Sequence, residues 1–209
     1  MHVAEIAPGL WRWTGYHEEW REDVGSVYCE TEDGVVLVDP IVPPEDPERF
    51  WRALDRDVRK LGGQVHVLVT IFWHARHAAE MVGRYDARVW APRTGRAAVE
   101  RRAGVVTDPF ARDDPLPGGI EAFRTARATE VVYWIPRHRA VVPGDVLLGD
   151  GAGGLRMCPE SWLPGTKKHA DLAASLAPLL DLPVERVLVS HGDPVLSGAR
   201  EALSCALKV

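Results

Sequence analysis

Two imidazoles stand three residues apart at His74 and His77, shortly after the apolar run Val65-His-Val-Leu-Val69. Three further apolar runs end in comparable chemistry. Val35-Val-Leu-Val38 runs into Asp39, Ala140-Val-Val142 into Pro143-Gly144-Asp145, and Val187-Leu-Val189 into Ser190-His191-Gly192. One such ending means little, because turns are rich in Asp. Four of them, with His at two, suggest one shared edge carrying a polar site. Imidazole and carboxylate together are the usual ligands of zinc, iron or manganese. Plainer readings stand beside this one. His74 and His77 also suit surface or capping positions, His191 a hydrogen bond to its own turn, and Asp145 a turn cap. Asp39 reads as structural rather than as a ligand. No nucleophile presents itself, since neither Cys158 nor Ser190 sits in a recognisable elbow.

The elements that must position these residues follow from the patterning. The β-branched run 65–69 suits a strand buried on both faces. Ala78 to Met81 favour a helix directly afterwards. The two histidines therefore lie where strand hands over to helix, the place where ligand sites form in open α/β sheets. Residues 10–13, 24–29 and 35–38 read as strands, with Glu32-Asp33-Gly34 as a hairpin turn. Trp11, Trp13, Tyr16 and Trp20 crowd this region and read as packing residues. Asp46 caps a helix that starts at Pro47, carries Phe50, Trp51, Leu54 and Val58 on one face, and ends at Gly62-Gly63. A short helix to about Tyr85, a strand over 88–91 and a basic helix over 94–102 follow. Residues 104–119 read as a loop, 120–124 and 130–135 as strands. Residues 149–166 form either a substrate lip or an ordinary connection. Helices over 169–180 and 198–207 flank a last strand over 183–189.

Composition bounds the rest. The 209 residues suit a single domain spanning 1–209. A formal charge of −5 leaves no basic footprint for nucleic acid. Cys29, Cys158 and Cys205 are odd in number and far apart, which favours a reducing, cytoplasmic setting. No apolar run approaches membrane-spanning length, and residues 1–9 lack the pattern of a signal peptide. A small molecule is the expected partner, and no oligomeric state can be read.

The order of these pieces resembles the metallo-β-lactamase fold of metallo-hydrolases. That resemblance covers nearly the whole chain and implies an αββα sandwich, two mixed β-sheets flanked by helices. Asp39 stands where that family has a strand ending in Asp. Pro143-Gly-Asp145 is similar to its T-G-D, and Ser190-His-Gly192 to its final G-H-G. Residues 72–77 stand at its T-H-x-H-x-D-H, so that His74 and His77 match while Phe72 replaces a histidine and Arg76 an aspartate. In the turn 125–129, Arg127 replaces a further histidine. The resemblance thus implies His74, His77, Asp145 and His191 as metal ligands, too few for a binuclear centre. His77, Asp145 and His191 would make a two-histidine, one-carboxylate set for one divalent zinc, iron or manganese ion. Arg76 and Arg127, with Trp73, would instead form an anion-binding pocket. The first expectation is a relative that binds a small anion or a partner protein without metal, with an arginine paired to Asp145. The alternative is a mononuclear hydrolase of an ester, thioester or lactone.

Overall fold

The computed structural model describes residues 2–111 and 113–208. β1 (Val3–Ala7), β2 (Leu10–His17), β3 (Glu22–Thr31) and β4 (Gly34–Val38) run antiparallel in sequence order. β5 (Gln64–Leu68), β6 (Arg88–Pro92) and β7 (Asp108–Phe110) extend the same sheet in parallel, giving seven strands. β8 (Glu121–Arg124), β9 (Val131–Ile135) and β10 (Ala140–Val142) build a second sheet. β11 (Leu147–Gly149) and β12 (Leu155–Met157) form a separate hairpin, and β13 (Arg186–Val187) returns to pair in parallel with β10.

Side-chain alternation explains how these sheets stack. In β4, Val36 and Val38 meet Val27, Leu68, Tyr133 and Ile135 between the two sheets. Val35 and Leu37 point the other way, towards α1 (Pro47–Leu61), α2 (Ala78–Tyr85) and α3 (Arg96–Ala103). In β9, Val131, Tyr133 and Ile135 face inward while Val132 and Trp134 pack towards α4 (His169–Leu176) and α5 (Ala199–Ala206). All residues of β4 and β9 are buried, so both faces demand apolar side chains and the runs become continuous. The result is the four-layer αββα sandwich that the resemblance implies. α1 begins as its sequence suggests, with Asp46 accepting the Arg49 N–H at 3.1 Å and Pro47 at the first helical position.

Four local readings differ from the structure. Residues 104–119 contain β7, an edge strand held by backbone pairing to β6 and able to carry Pro109 because its outer side needs no donor. Residues 149–166 contain β12. The helix expected over 169–180 stops at Leu176 and tightens into a 3₁₀ turn, Ala177–Asp181, around Pro178. The last strand has only two residues. β1 had no strong apolar signal. No described helix is long and apolar enough to cross a membrane.

Candidate metal centre

β5 passes through buried Ile71 into a 3₁₀ turn, Phe72–Ala75, which carries His74 into the interior. Arg76 follows with φ 31° and ψ −108°, a costly conformation for a side chain with a Cβ. It reverses the chain so that His77 becomes the N-cap of α2 rather than a second inward imidazole. His77 Nδ1 accepts the Val42 N–H at 3.1 Å, and its burial lowers its pKa. The structure therefore keeps His77 out of the cluster that His74 joins.

β4 ends at Asp39, whose φ of 50° turns its carboxylate onto the same spot. Asp39 Oδ1 accepts the Thr70 N–H at 2.8 Å, and Oδ2 accepts the Thr70 hydroxyl at 2.5 Å. The same Oδ2 lies 2.9 Å from His74 Nδ1. Asp39, Thr70 and His74 are all buried. A carboxylate at Nδ1 keeps a proton there and directs Nε2 away, towards Asp145.

Asp145 reaches this point through Gly144, whose φ is +61°. A Cβ at Gly144 would lie 2.7 Å from Glu130 Oε1, so only glycine fits. That oxygen accepts the Asp145 backbone N–H at 2.7 Å. Asp145 Oδ2 accepts the Trp73 indole N–H at 2.6 Å. His191 arrives from a turn that Arg12 pins, donating to the carbonyls of Val189 and Gly192 at 3.1 and 2.9 Å. Gly25 lets that turn approach, because a Cβ there would stand 2.7 Å from both Arg12 Nη2 and the Val189 carbonyl.

Asp145 Oδ1 then lies 3.1 Å from His74 Nε2 and 3.1 Å from His191 Nε2. Yet His74 Nε2 and Asp145 Oδ1, both buried, make no hydrogen bond among the described residues. Two imidazole nitrogens converging on one carboxylate oxygen are the arrangement of ligands around a cation; without one, the same short distances pair protonated His74 with Asp145. The three atoms lie within 4.8 Å of one another. Ligands about 2.0–2.1 Å from a tetrahedral zinc ion would sit roughly 3.3 Å apart, so the set fits one divalent ion. Burial would lower the pKa of His74, but Asp145 and Asp39 outweigh burial and Arg76 and hold it at about 9. Burial pushes the Asp145 carboxyl up, and His74 and His191 more than reverse this, leaving it well below the usual carboxylate range.

Neither arginine hydrogen-bonds or ion-pairs with Asp145 among the described residues, contrary to the expected pairing. Arg76 donates to the carbonyls of Gly25 and Asp39 at 3.0 and 2.9 Å and to Ser190 Oγ at 2.8 Å. Two carbonyls and one hydroxyl take its terminal nitrogens, while its buried Nε makes no hydrogen bond among the described residues. Arg127 pairs with Glu130 and donates to the Trp162 carbonyl at 2.7 Å, its guanidinium 5.1 Å from the Trp73 ring centre. Burial pushes the Glu130 carboxyl up to about 8 despite Arg127. Sequence reasoning passed over Arg12, Thr70 and Glu130. Only Glu130 left a trace, as the lone acid between Arg127 and a fully apolar strand. Asp145 and His191 form part of the wall of an open cleft of about 530 Å³, which Trp20, Trp73 and Trp162 also line.

No protein-family model matches the chain. It is 30% identical over 191 residues to a hydroxyacylglutathione hydrolase of Methylobacterium nodulans, covering 87% of this chain and 71% of that relative. A second hydroxyacylglutathione hydrolase, from a Methylobacterium species, is 33% identical over 134 residues, 64% of this chain and about half, 49%, of the relative. Among solved structures, a metallo-β-lactamase from Pontibacter korlensis superposes with a TM-score of 0.72 at 18% identity, over 99% of this chain and 98% of its own. A metallo-β-lactamase from Erythrobacter litoralis, with β-mercaptoethanol in its active site, gives 0.72 at 16% identity over 98% and 93%. At such identities the two structures speak for the fold alone.

Proposed function

The chain belongs to the metallo-β-lactamase-fold hydrolases, and from that premise we propose that it hydrolyses a small thioester or ester with one divalent metal ion held by His74, Asp145 and His191. The observation that carries this reading is the convergence of His74 Nε2 and His191 Nε2 on Asp145 Oδ1, each at 3.1 Å, with all three ligand atoms within 4.8 Å of one another. A divalent ion supplies Lewis acidity there, polarising a carbonyl and acidifying water. The chain's own residues do the positioning. Asp39 fixes the His74 tautomer. Trp73 holds one Asp145 oxygen and leaves the other for the centre. In the net reaction the water oxygen bonds to the carbonyl carbon, the carbon–sulfur bond breaks, and the leaving sulfur gains a proton. The hydroxyacylglutathione hydrolases among the relatives favour a thioester over the other esters.

Arg76 places a fixed positive charge beside the centre, where the resemblance implies an aspartate. That charge disfavours a second metal ion. A metal-free relative that binds an anion would need Arg76 or Arg127 open to that anion, and the terminal nitrogens of both go to internal acceptors while Arg76 Nε, unpartnered among the described residues, is buried. Three unpaired cysteines suit a reducing compartment such as the cytoplasm. The test is elemental analysis of the chain expressed without chelator, beside thioester hydrolysis before and after chelation. Near one metal per chain, with turnover lost on chelation and restored by the metal, is expected. Turnover that survives exhaustive chelation would refute the assignment.

A further inference from the structure

The cleft over the candidate centre has a composition that the metal does not explain. Its walls include three indoles, Trp20, Trp73 and Trp162, and its rim carries Glu19, Glu22 and Arg102. Trp162 is 44% exposed and lies in the segment 149–166, pinned through its backbone carbonyl to Arg127. Arg102, the one arginine lining this cleft, is closed onto Glu19 at 2.8 Å. Arg76 and Arg127 stand 5.7 and 5.1 Å from the ring centres of Trp20 and Trp73, but their hydrogen bonds go to internal groups. Glu22 lies 3.2 Å from His191 Nδ1 and keeps a half-exposed carboxylate at the rim.

We propose that this cleft selects acyl compounds bearing a flat aromatic group and no net negative charge, and disfavours glutathione thioesters. The proposal rests on the hydrolase reading for its chemistry, but its argument is the lining. One face of Trp20 already stacks on His17 at 3.9 Å between ring centres, so the remaining indole surface, with exposed Trp162 foremost, favours stacked or edge-on rings over small aliphatic groups. Glutathione brings two carboxylates and one ammonium, and its net negative charge meets Glu19 and Glu22 with Arg102 already paired.

Thioether probes test this without any turnover, because they have no bond for the enzyme to cleave. S-benzyl-N-acetylcysteamine is neutral and aromatic, S-methyl-N-acetylcysteamine neutral and aliphatic, and S-benzylglutathione aromatic and anionic. Calorimetric titration of the full chain at low salt is expected to give the first a Kd about tenfold lower than either other probe. Trp162→Ala removes an exposed side chain, keeps the carbonyl that Arg127 uses, and should abolish the benzyl-over-methyl preference. Glu19→Gln should release Arg102 and tighten S-benzylglutathione several-fold, leaving the neutral probes unchanged. S-benzylglutathione binding as tightly as the neutral benzyl probe, a methyl probe matching the benzyl one, or no benzyl binding at millimolar concentration would each overturn the proposal. Any of these results leaves the metal and thioester tests standing, and a failed turnover test leaves this preference measurable.

Discussion

Two buried polar clusters meet at Asp145, each setting basic side chains against a carboxylate. On one side Arg127 pairs with Glu130, Glu130 accepts the Asp145 N–H, and Arg127 also holds the Trp162 carbonyl. Its charges and donors find partners inside the protein, and it needs no guest. On the other side His74, Asp145 and His191 bring three ligand atoms together around one carboxylate oxygen, which only two protonatable imidazoles meet. Buried groups of that kind are costly unless something else meets them. The contrast separates a structural charge cluster from a functional one by saturation, which residue type alone does not reveal.

Breaking the saturated side should give the largest effect, and on stability. Arg127→Ala leaves the Glu130 carboxyl, already pushed up to about 8, and the Trp162 carbonyl without their donor, at an expected cost of about 1–3 kcal/mol in denaturant unfolding. Arg127→Met combined with Glu130→Gln should recover part of that loss, since the glutamine side chain still accepts the Asp145 N–H. A single variant as stable as the parent would remove Arg127 from the structural side of the comparison.

Breaking the open side should spare the fold and cost the metal. His191→Ala is expected to lower metal content to near zero and thioester turnover more than about a hundredfold, beyond what loss of a supporting partner costs. Its circular dichroism should match the parent. Asp39→Asn sits between the two sides. It weakens the hold on the His74 tautomer without removing a ligand, so about a ten- to hundredfold loss of metal affinity is expected, read by competition with a chromophoric chelator. Unchanged affinity would mean that the Thr70 hydroxyl, 3.0 Å from His74 Nδ1, orients the ring by itself.

The fold was readable because strands covered on both faces leave continuous apolar runs, as in 35–38, 65–69 and 131–135. β1 and β7 escaped because backbone pairing at a sheet edge writes little into side chains. The shared edge was readable from run endings at Asp39, Asp145 and His191. The choice between His74 and His77 was not. Three residues of spacing says nothing of a 3₁₀ turn followed by a positive φ at Arg76, which sends one ring inward and makes the other a helix cap. The partners of the arginines were equally hidden. Arg76 is held largely by carbonyls, which every residue has, and Arg127 by a glutamate that reads as a strand flank.

The smallest expected effect sharpens the comparison through pH. In the metal-free chain, His74 is held at about 9, above its ordinary value near 6.5, by Asp145 and Asp39 acting against burial. Its protonated form therefore stabilises the fold fully below about pH 6.5, and that contribution disappears as pH rises through about 9. Asp145 shifts in the opposite sense, and its contribution is lost only in acid. Glu130, raised to about 8 chiefly by burial, also favours the fold at lower pH, and because it feels Asp145 and His74 the comparison is made in a Glu130→Gln background. With Glu130 replaced, subtracting the metal-loaded curve from the metal-free one isolates His74. The metal-free protein should lose roughly 5 °C of Tm between pH 6.5 and 9 relative to the loaded form, if half of the ionisation energy survives relaxation. Metal binding at neutral pH should release about one proton, because His74 must give up the proton on Nε2 to act as a ligand. Parallel Tm curves and no proton release would place His74 outside the metal site and leave the open cluster without its first ligand.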